Sequence, residues 1–213
     1  MRQDNEELAE LVGKYGYSQE QFEKIQDLFN IGKSINTKLF IKKDDYKKIS
    51  YNLLEKDNPL TVVLGNITNC CQVIGGIGES CVKYGVTQPN SKFMVFDYDN
   101  TIIGQSWVWY DEKTKTICLD NIEVPTRYCK VIKHDESLQK EFIDCLLRVA
   151  KNFKEEMKKH KLEVQHLTIG KGYNDIRDIL DKEFNEVENA SCLSDYYGYR
   201  DSKVQYEISY KIK

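Results

Sequence analysis

Three apolar segments followed by one long amphipathic segment constrain the fold of this chain more than any other feature. Residues 93–96, 102–109 and 116–124 are rich in β-branched and aromatic side chains, and short polar turns separate them. Such a pattern is typical of an antiparallel meander. From Leu138 to Met157, apolar side chains then recur at helical spacing with charges between them. The sequence therefore predicts three antiparallel strands followed by a long helix.

The segments around this centre predict an α+β fold. Further strands are indicated at 60–64, 164–169 and 204–211, and a short helix at 174–182. Antiparallel strands come before the long helix, and strands alternate with helices after it. This order indicates a mixed, mostly antiparallel sheet flanked by helices, with parallel character near its end.

The first 58 residues predict a helical extension. Ser18 and Gln21 have the spacing of a capping box, and an apolar stripe follows them. Asp44 is a candidate first residue of a second helix, which Pro59 would end. We therefore divide the chain into a helical extension (1–58) and an α+β domain (59–213). The extension could cover a cleft, form a homodimer or bind a partner protein.

Composition places the chain among folded proteins. Its 213 residues are 40% hydrophobic, and 34 acidic against 31 basic residues give a net charge of −3. That balance gives no reason to expect a nucleic-acid partner. No apolar run is long enough to span a membrane, and the polar start is unlike a signal peptide. Seven irregularly spaced cysteines fit reduced thiols, so we expect a cytoplasmic protein.

One motif resembles a known family. Residues 120–128 read DNIEVPTRY before the long helix, and residues 168–174 read TIGKGYN after it. Together with the order of elements, they resemble the GNAT N-acetyltransferase superfamily, whose motif is apolar-x-V-x-P-x-x-R-G-x-G-x-G/A. The similarity covers roughly residues 60 to 211, so the helical start lies outside it.

This resemblance implies transfer of an acetyl group from acetyl-coenzyme A to a primary amine, which could belong to a small molecule or a protein. The cofactor would lie where the fourth and fifth strands splay apart. The backbone of Ile122 and Val124 would bind its pantetheine arm, and Asn174 would line the cleft. The loop after the fourth strand would hold the pyrophosphate.

The chain departs from the family motif after Arg127. The family has glycines there, whereas residues 128–134 read YCKVIKH. The pyrophosphate would then be held at Tyr128 and by the charges of Arg127, Lys130 and Lys133. The family's tyrosine acid is also replaced, because Leu180 and Asp181 occupy its usual positions. Among the later tyrosines, Tyr197 is the candidate substitute.

Two carboxylates on the third meander strand are candidate bases. An acetyltransferase of this type needs a group that removes a proton from an ammonium, and a carboxylate can do so. Asp120 and Glu123 are available. Regular alternation along a strand would place them on opposite faces, so that at most one points into the cleft. Either could also be an ordinary charge at a strand end.

Other features leave two alternatives open. The Cys/Gly-rich segment 66–85 contains Cys70 and Cys71, and a thiol-dependent enzyme could use either one, although buried cysteines are usually core residues. A non-catalytic GNAT-like module that binds a partner protein or a small ligand is favoured by the missing glycines. No paired Cys/His spacing indicates a metal site. Trp107 and Trp109 share one strand face, which we expect to pack against the long helix.

Overall fold

The sheet is the central element of the computed structural model, which describes residues 2–44, 48–171, 176–188 and 204–208. Within this described part the sheet has seven strands in the order β1-β2-β3-β4-β5-β7-β6. Only β4 and β5 pair in parallel there, and the other neighbours are antiparallel. The strands are β1 (Ile49–Leu53), β2 (Ser91–Tyr98), β3 (Thr101–Asp111), β4 (Thr116–Leu119), β5 (His166–Gly170), β6 (Asn185–Glu188) and β7 (Val204–Glu207). The predicted α+β class is confirmed.

Helices lie on both faces of the sheet. The described helices are α1 (Arg2–Lys14), α2 (Gln19–Lys33), α3 (Leu64–Thr68), α4 (Glu79–Thr87), α5 (Thr126–His134), α6 (Glu136–Lys159) and α7 (Arg177–Glu183), with a 3-10 turn at Pro59–Val62. The predicted long helix is α6. It begins where the Asp135 carboxylate accepts hydrogen bonds from the Ser137 and Leu138 N–H groups. No described helix has the length and apolar character needed to cross a bilayer.

The two faces of the sheet carry different cores. On one face, Phe142, Leu146 and Phe153 of α6 pack against side chains from the strands. On the other face, Trp107 and Trp109 are fully buried near Leu64 and Tyr84, from α3 and α4. The expectation that the two tryptophans pack against the long helix is therefore wrong. They lie on the opposite face, because alternation along β3 turns Val108 and Tyr110 toward α6 instead.

Two local predictions are also wrong. Residues 49–53 form β1, which pairs with β2, instead of belonging to a second helix. Buried and half-buried residues alternate along β1, which is the two-residue repeat of a strand and not the spacing of a helix. Residues 60–64 form the 3-10 turn and the start of α3 instead of a strand. A short apolar run suits a buried helix as well as a strand, and Pro59 starts the turn.

The N-terminal helices pack against the segment between β1 and β2. The capping box at Ser18 and Gln21 is confirmed and begins α2. Apolar side chains of α1 and α2, including Leu8 and Phe29, pack with Val62 and Val86. The helical start thus lies against the Cys/Gly-rich segment. The division of the chain at residue 58 stays a prediction, although β1 precedes that point.

Candidate functional site

The parallel pairing of β4 with β5 ends within the sheet. It runs from Thr116 to Leu119, and the Gly170 N–H then donates to the Asp120 carbonyl at 2.9 Å. After Asp120, the described backbone hydrogen bonds of this segment run to β3: Glu123 exchanges two with Gln105, both 2.9 Å long. The segment after β4 therefore follows β3, and among the described residues its backbone pairing with β5 ends at Asp120.

A one-residue β-bulge precedes Glu123. Val108 pairs with Leu119, so a regular ladder would place Gln105 opposite Ile122. The observed partner of Gln105 is Glu123, one residue further along. An extra residue in one strand reverses the side-chain alternation beyond it. Leu119 and Ile122 accordingly point to the same core, beside α6.

Because of the bulge, Asp120 and Glu123 lie on the same face of the sheet. The predicted alternation, which would have put them on opposite faces, is wrong for this reason. Both carboxylates act electrostatically on Cys70, which comes from the Cys/Gly-rich segment. The structure thus brings together two candidate bases that sequence reasoning had separated.

The pairing of Glu123 also orients the neighbouring backbone. Since Glu123 directs its N–H and carbonyl toward β3, alternation turns those of Ile122 and Val124 away from β3. The side chains of Ile122 and Val124 are buried against α6. Their backbone groups therefore point away from β3, and their role in binding the cofactor stays a prediction.

The two carboxylates differ in environment. Asp120 is only 3% exposed, and its Oδ2 accepts a hydrogen bond of 2.9 Å from Gln72 Nε2. Glu123 is half-buried, and its Oε1 accepts a hydrogen bond of 3.0 Å from Asn121 Nδ2. Solvent therefore reaches Glu123 more readily than Asp120.

Cys70 is poorly suited to be a nucleophile. Its side chain is buried, and its Sγ accepts a weak hydrogen bond from the Gln72 N–H at 3.4 Å. Burial raises the pKa of the Cys70 thiol, and the negative charge of Glu123 raises it further. The thiol therefore stays protonated at neutral pH. Cys71, by contrast, is exposed.

The segment predicted to hold pyrophosphate is a helix, α5, instead of a loop. Without glycine after Pro125, the chain closes a helical turn at once, as Tyr128 and Cys129 donate their N–H groups to the Pro125 carbonyl. Arg127 and Lys130 are exposed on this helix. Lys133 forms an ion pair of 3.1 Å with Asp178 of α7.

Tyr128 supports one of these cations. It is half-buried, and the Arg127 guanidinium lies 4.6 Å from the centre of its ring.

Asn174 and Tyr197, the other two predicted site residues, lie outside the described residues. Near the usual tyrosine position, Leu180 is buried and Asp181 accepts a hydrogen bond of 2.6 Å from the Tyr206 hydroxyl.

Two glutamines at the site were not predicted. Gln72 contacts Asp120, and Gln105 is only 1% exposed on the face that also carries Trp107. Within the described part of the chain, neither side-chain polar atom of Gln105 has a hydrogen-bond partner. The sequence signal for Gln105 was a polar amide between two apolar stretches of one strand. The described residues contain no group of three or more His, Cys, Asp or Glu that could hold a metal ion.

Solved acetyltransferases are similar to this structure at low sequence identity. An acetyltransferase from Streptococcus agalactiae is 13% identical, with 76% of this chain and 98% of that chain covered and a TM-score of 0.43. A ribosomal L7/L12 alpha-N-protein acetyltransferase in complex with coenzyme A is 7% identical (77% and 95% covered, TM-score 0.43). A putative GNAT-family acetyltransferase from Desulfovibrio desulfuricans is 13% identical (75% and 98% covered, TM-score 0.40).

No family model and no curated protein matches the chain. At these identities and TM-scores, a functional proposal has to depend on the residues of this chain.

Proposed function

We propose that this protein is an N-acyltransferase that moves an acetyl group from acetyl-coenzyme A to a primary amine in the cytoplasm. The observation that carries the proposal is the bulge before Glu123. It places Asp120 and Glu123 on one face, beside the point where the pairing of β4 with β5 ends. A pair of carboxylates at this point suits a reaction that begins with the removal of a proton from an amine.

Glu123 is the general base in this proposal. A primary amine is protonated at neutral pH and becomes a nucleophile only after it loses a proton. Glu123 is half-buried, so an amine entering from solvent reaches it before it reaches the buried Asp120. The negative charge of Asp120 attracts the same ammonium group and helps to hold it near Glu123.

The residues present fit an acyl-coenzyme A. Backbone groups of Ile122 and Val124 face away from β3 and are oriented to bind the pantetheine arm. The N-terminus of α5 follows directly, with no side-chain cap, and Arg127 and Lys130 are exposed beside it. Backbone N–H groups and cations at a helix start suit a pyrophosphate. When bound, the cofactor supplies an activated thioester for attack by the amine.

The remaining predicted residues have smaller roles. Tyr128 supports Arg127 through its ring, and Lys133 adds positive charge although Asp178 already contacts it. Asn174 as a cofactor contact and Tyr197 as the acid that protonates the leaving thiolate stay predictions.

Binding and transfer assays test the proposal together. Calorimetric titration with acetyl-coenzyme A should show saturable binding, and a panel of primary amines should include at least one acetylated product by mass spectrometry. Glu123→Gln should bind the cofactor as the wild type does and lose transfer. Glu20→Gln, at an exposed surface ion pair, is the matched control. Absence of both binding and transfer in the wild type would reject the proposal.

A non-catalytic GNAT-like binding module is the second candidate. It is favoured by α5, which presents exposed side chains such as Arg127 and Val131 where the family has glycines. The same titration separates the candidates, since a module that has lost its cofactor site does not bind acetyl-coenzyme A.

A further inference from the structure

We propose that Gln72 is a positioning residue that fixes the orientation of the Asp120 carboxylate, and that the surrounding glycines hold Gln72 in place. The proposal rests on the proposed function, because it assigns Asp120 a part in binding the amine. It also gives a role to the Cys/Gly-rich segment, whose unusual composition no other part of the site explains.

The hydrogen bond between the two side chains is the first line of support. Gln72 Nε2 donates to Asp120 Oδ2 at 2.9 Å, and both side chains are almost completely buried. A hydrogen bond to a charged acceptor is stronger than one between neutral groups, and burial removes competing water. The bond therefore holds one carboxylate oxygen of Asp120 in a defined direction.

The carbonyl oxygen of the Gln72 side chain also supports the proposed role in positioning Asp120. Gln72 Oε1 is buried and has no hydrogen-bond partner within the described part of the chain. An unpaired buried acceptor destabilises the folded state, and an apolar side chain of similar size would avoid this penalty. Packing alone therefore does not favour a glutamine here, whereas the contact with Asp120 does.

Two glycines allow the backbone of Gln72 to reach this position. A Cβ atom at Gly65 would overlap the Gln72 carbonyl oxygen. A Cβ atom at Gly78 would lie 2.9 Å from Gln72 Cα and 2.8 Å from the Cys71 carbonyl oxygen. Only glycine fits such close backbone approaches without a shift. Gly65 and Gly78 thus enclose the residue whose side chain reaches Asp120.

The N-terminal helices hold the same segment from outside. Gln21 Nε2 donates to the Ile74 carbonyl at 3.3 Å, while Gln21 Oε1 accepts from the Ser18 N–H at 2.9 Å. One side chain therefore joins the start of α2 to a residue two positions after Gln72. A Cβ atom at Gly75 would overlap Gln21 Nε2, so this glycine also permits the contact.

Nuclear magnetic resonance tests the arrangement without depending on catalysis. In the wild type, the Gln72 side-chain amide protons should exchange slowly, with one shifted downfield by the carboxylate. Asp120→Asn should move that resonance upfield, and Gly65→Ala should do the same although Gln72 and Asp120 are both intact. Gly13→Ala is the matched control, because no atom lies within 4 Å of a Cβ atom there. If Gly65→Ala does not fold, the comparison of the Gln72 resonance between the wild type and Asp120→Asn decides whether the contact exists.

Kinetics supply the second readout. Gln72→Leu should lower kcat at least about tenfold and leave the KM for acetyl-coenzyme A within about twofold, the pattern of a lost interaction with the reacting amine. Gln165→Leu, at an exposed glutamine, should change neither value. A structural defect would instead lower the fraction of active protein, which active-site titration measures.

The outcomes separate the two proposals. If the chemical shift of the Gln72 side-chain amide does not change in Asp120→Asn, the positioning role is overturned. An unchanged kcat in Gln72→Leu would overturn it as well. If the resonance responds as expected but the wild type neither binds acetyl-coenzyme A nor transfers an acetyl group, the positioning of Asp120 is supported and the proposed function is rejected.

Discussion

Gln105 pairs with Glu123, one residue beyond the partner that a regular ladder would give it. This single shift returns Glu123 to the face that carries Asp120, while Ile122 and Val124 stay in the core beside α6. The chemistry proposed for this chain depends on that local irregularity more than on any one side chain.

The carboxylates should have unequal effects on transfer. We expect Glu123→Gln to lower kcat/KM for the amine by about 10²–10⁴-fold, the range of a lost general base. Asp120→Asn should lower it less, because this residue acts through its charge and is almost completely buried. Steady-state rates over a range of amine concentrations measure both effects. A larger loss for Asp120→Asn than for Glu123→Gln would reverse the assignment.

Lys56 should make stability depend on pH. Its buried ammonium donates to the carbonyl oxygens of Gly85, Val86 and Ser91, and burial together with Lys92 lowers the pKa of Lys56 to about 7. The unfolded chain therefore binds more protons between pH 7 and the ordinary lysine pKa of about 10.4. The free energy of unfolding should rise with pH in that range, by at most about 1.4 kcal/mol per pH unit.

Lys56→Met supplies the baseline for this measurement. The difference in unfolding free energy between wild type and variant, from urea denaturation at several pH values, should grow in favour of the wild type as pH rises from 7. A constant difference over this pH range would show that the folded-state pKa of Lys56 is close to the ordinary value.

The two adjacent cysteines should react very differently. Cys71 is exposed, whereas burial and Glu123 raise the pKa of the buried Cys70 thiol. Iodoacetamide at neutral pH should therefore label Cys71 in the folded protein and reach Cys70 only after unfolding. Peptide mass spectrometry after timed labelling measures this order. Preferential labelling of Cys70 would restore the thiol-dependent alternative.

Trp107 should matter for stability and not for binding an acceptor. It is fully buried, its indole contacts Trp109 at a centroid distance of 5.0 Å, and its Nε1 donates to Ser91 Oγ. Trp107→Ala should lower the free energy of unfolding by about 3–5 kcal/mol. Tyr98→Ala, at an exposed aromatic residue, is the comparison. Similar losses for both variants, measured by urea denaturation, would argue against this packing.

The sequence predicted the parts of the fold that depend on long periodic patterns. The meander and α6 follow from strand alternation and helical spacing, which many residues share. The prediction failed at β1, where the five residues are compatible with both helical spacing and strand alternation. Only the pairing with β2 decides between the two. Sequence reasoning failed again at the bulge, because the prediction for Asp120 and Glu123 assumed regular alternation, although the apolar residues change phase between Leu119 and Ile122. The contact of Gln72 with Asp120 joins residues 48 positions apart and has no local signal.

The most direct test of the central claim is to map acetyl-coenzyme A on the protein by backbone amide resonances. We expect saturable shifts at Ile122, Val124 and Arg127, and none at Lys154 or Lys158 near the distant end of α6. Saturable shifts confined to the first group would support a cofactor site at the point where the pairing of β4 with β5 ends. Absence of shifts at millimolar ligand, or shifts centred elsewhere, would contradict it.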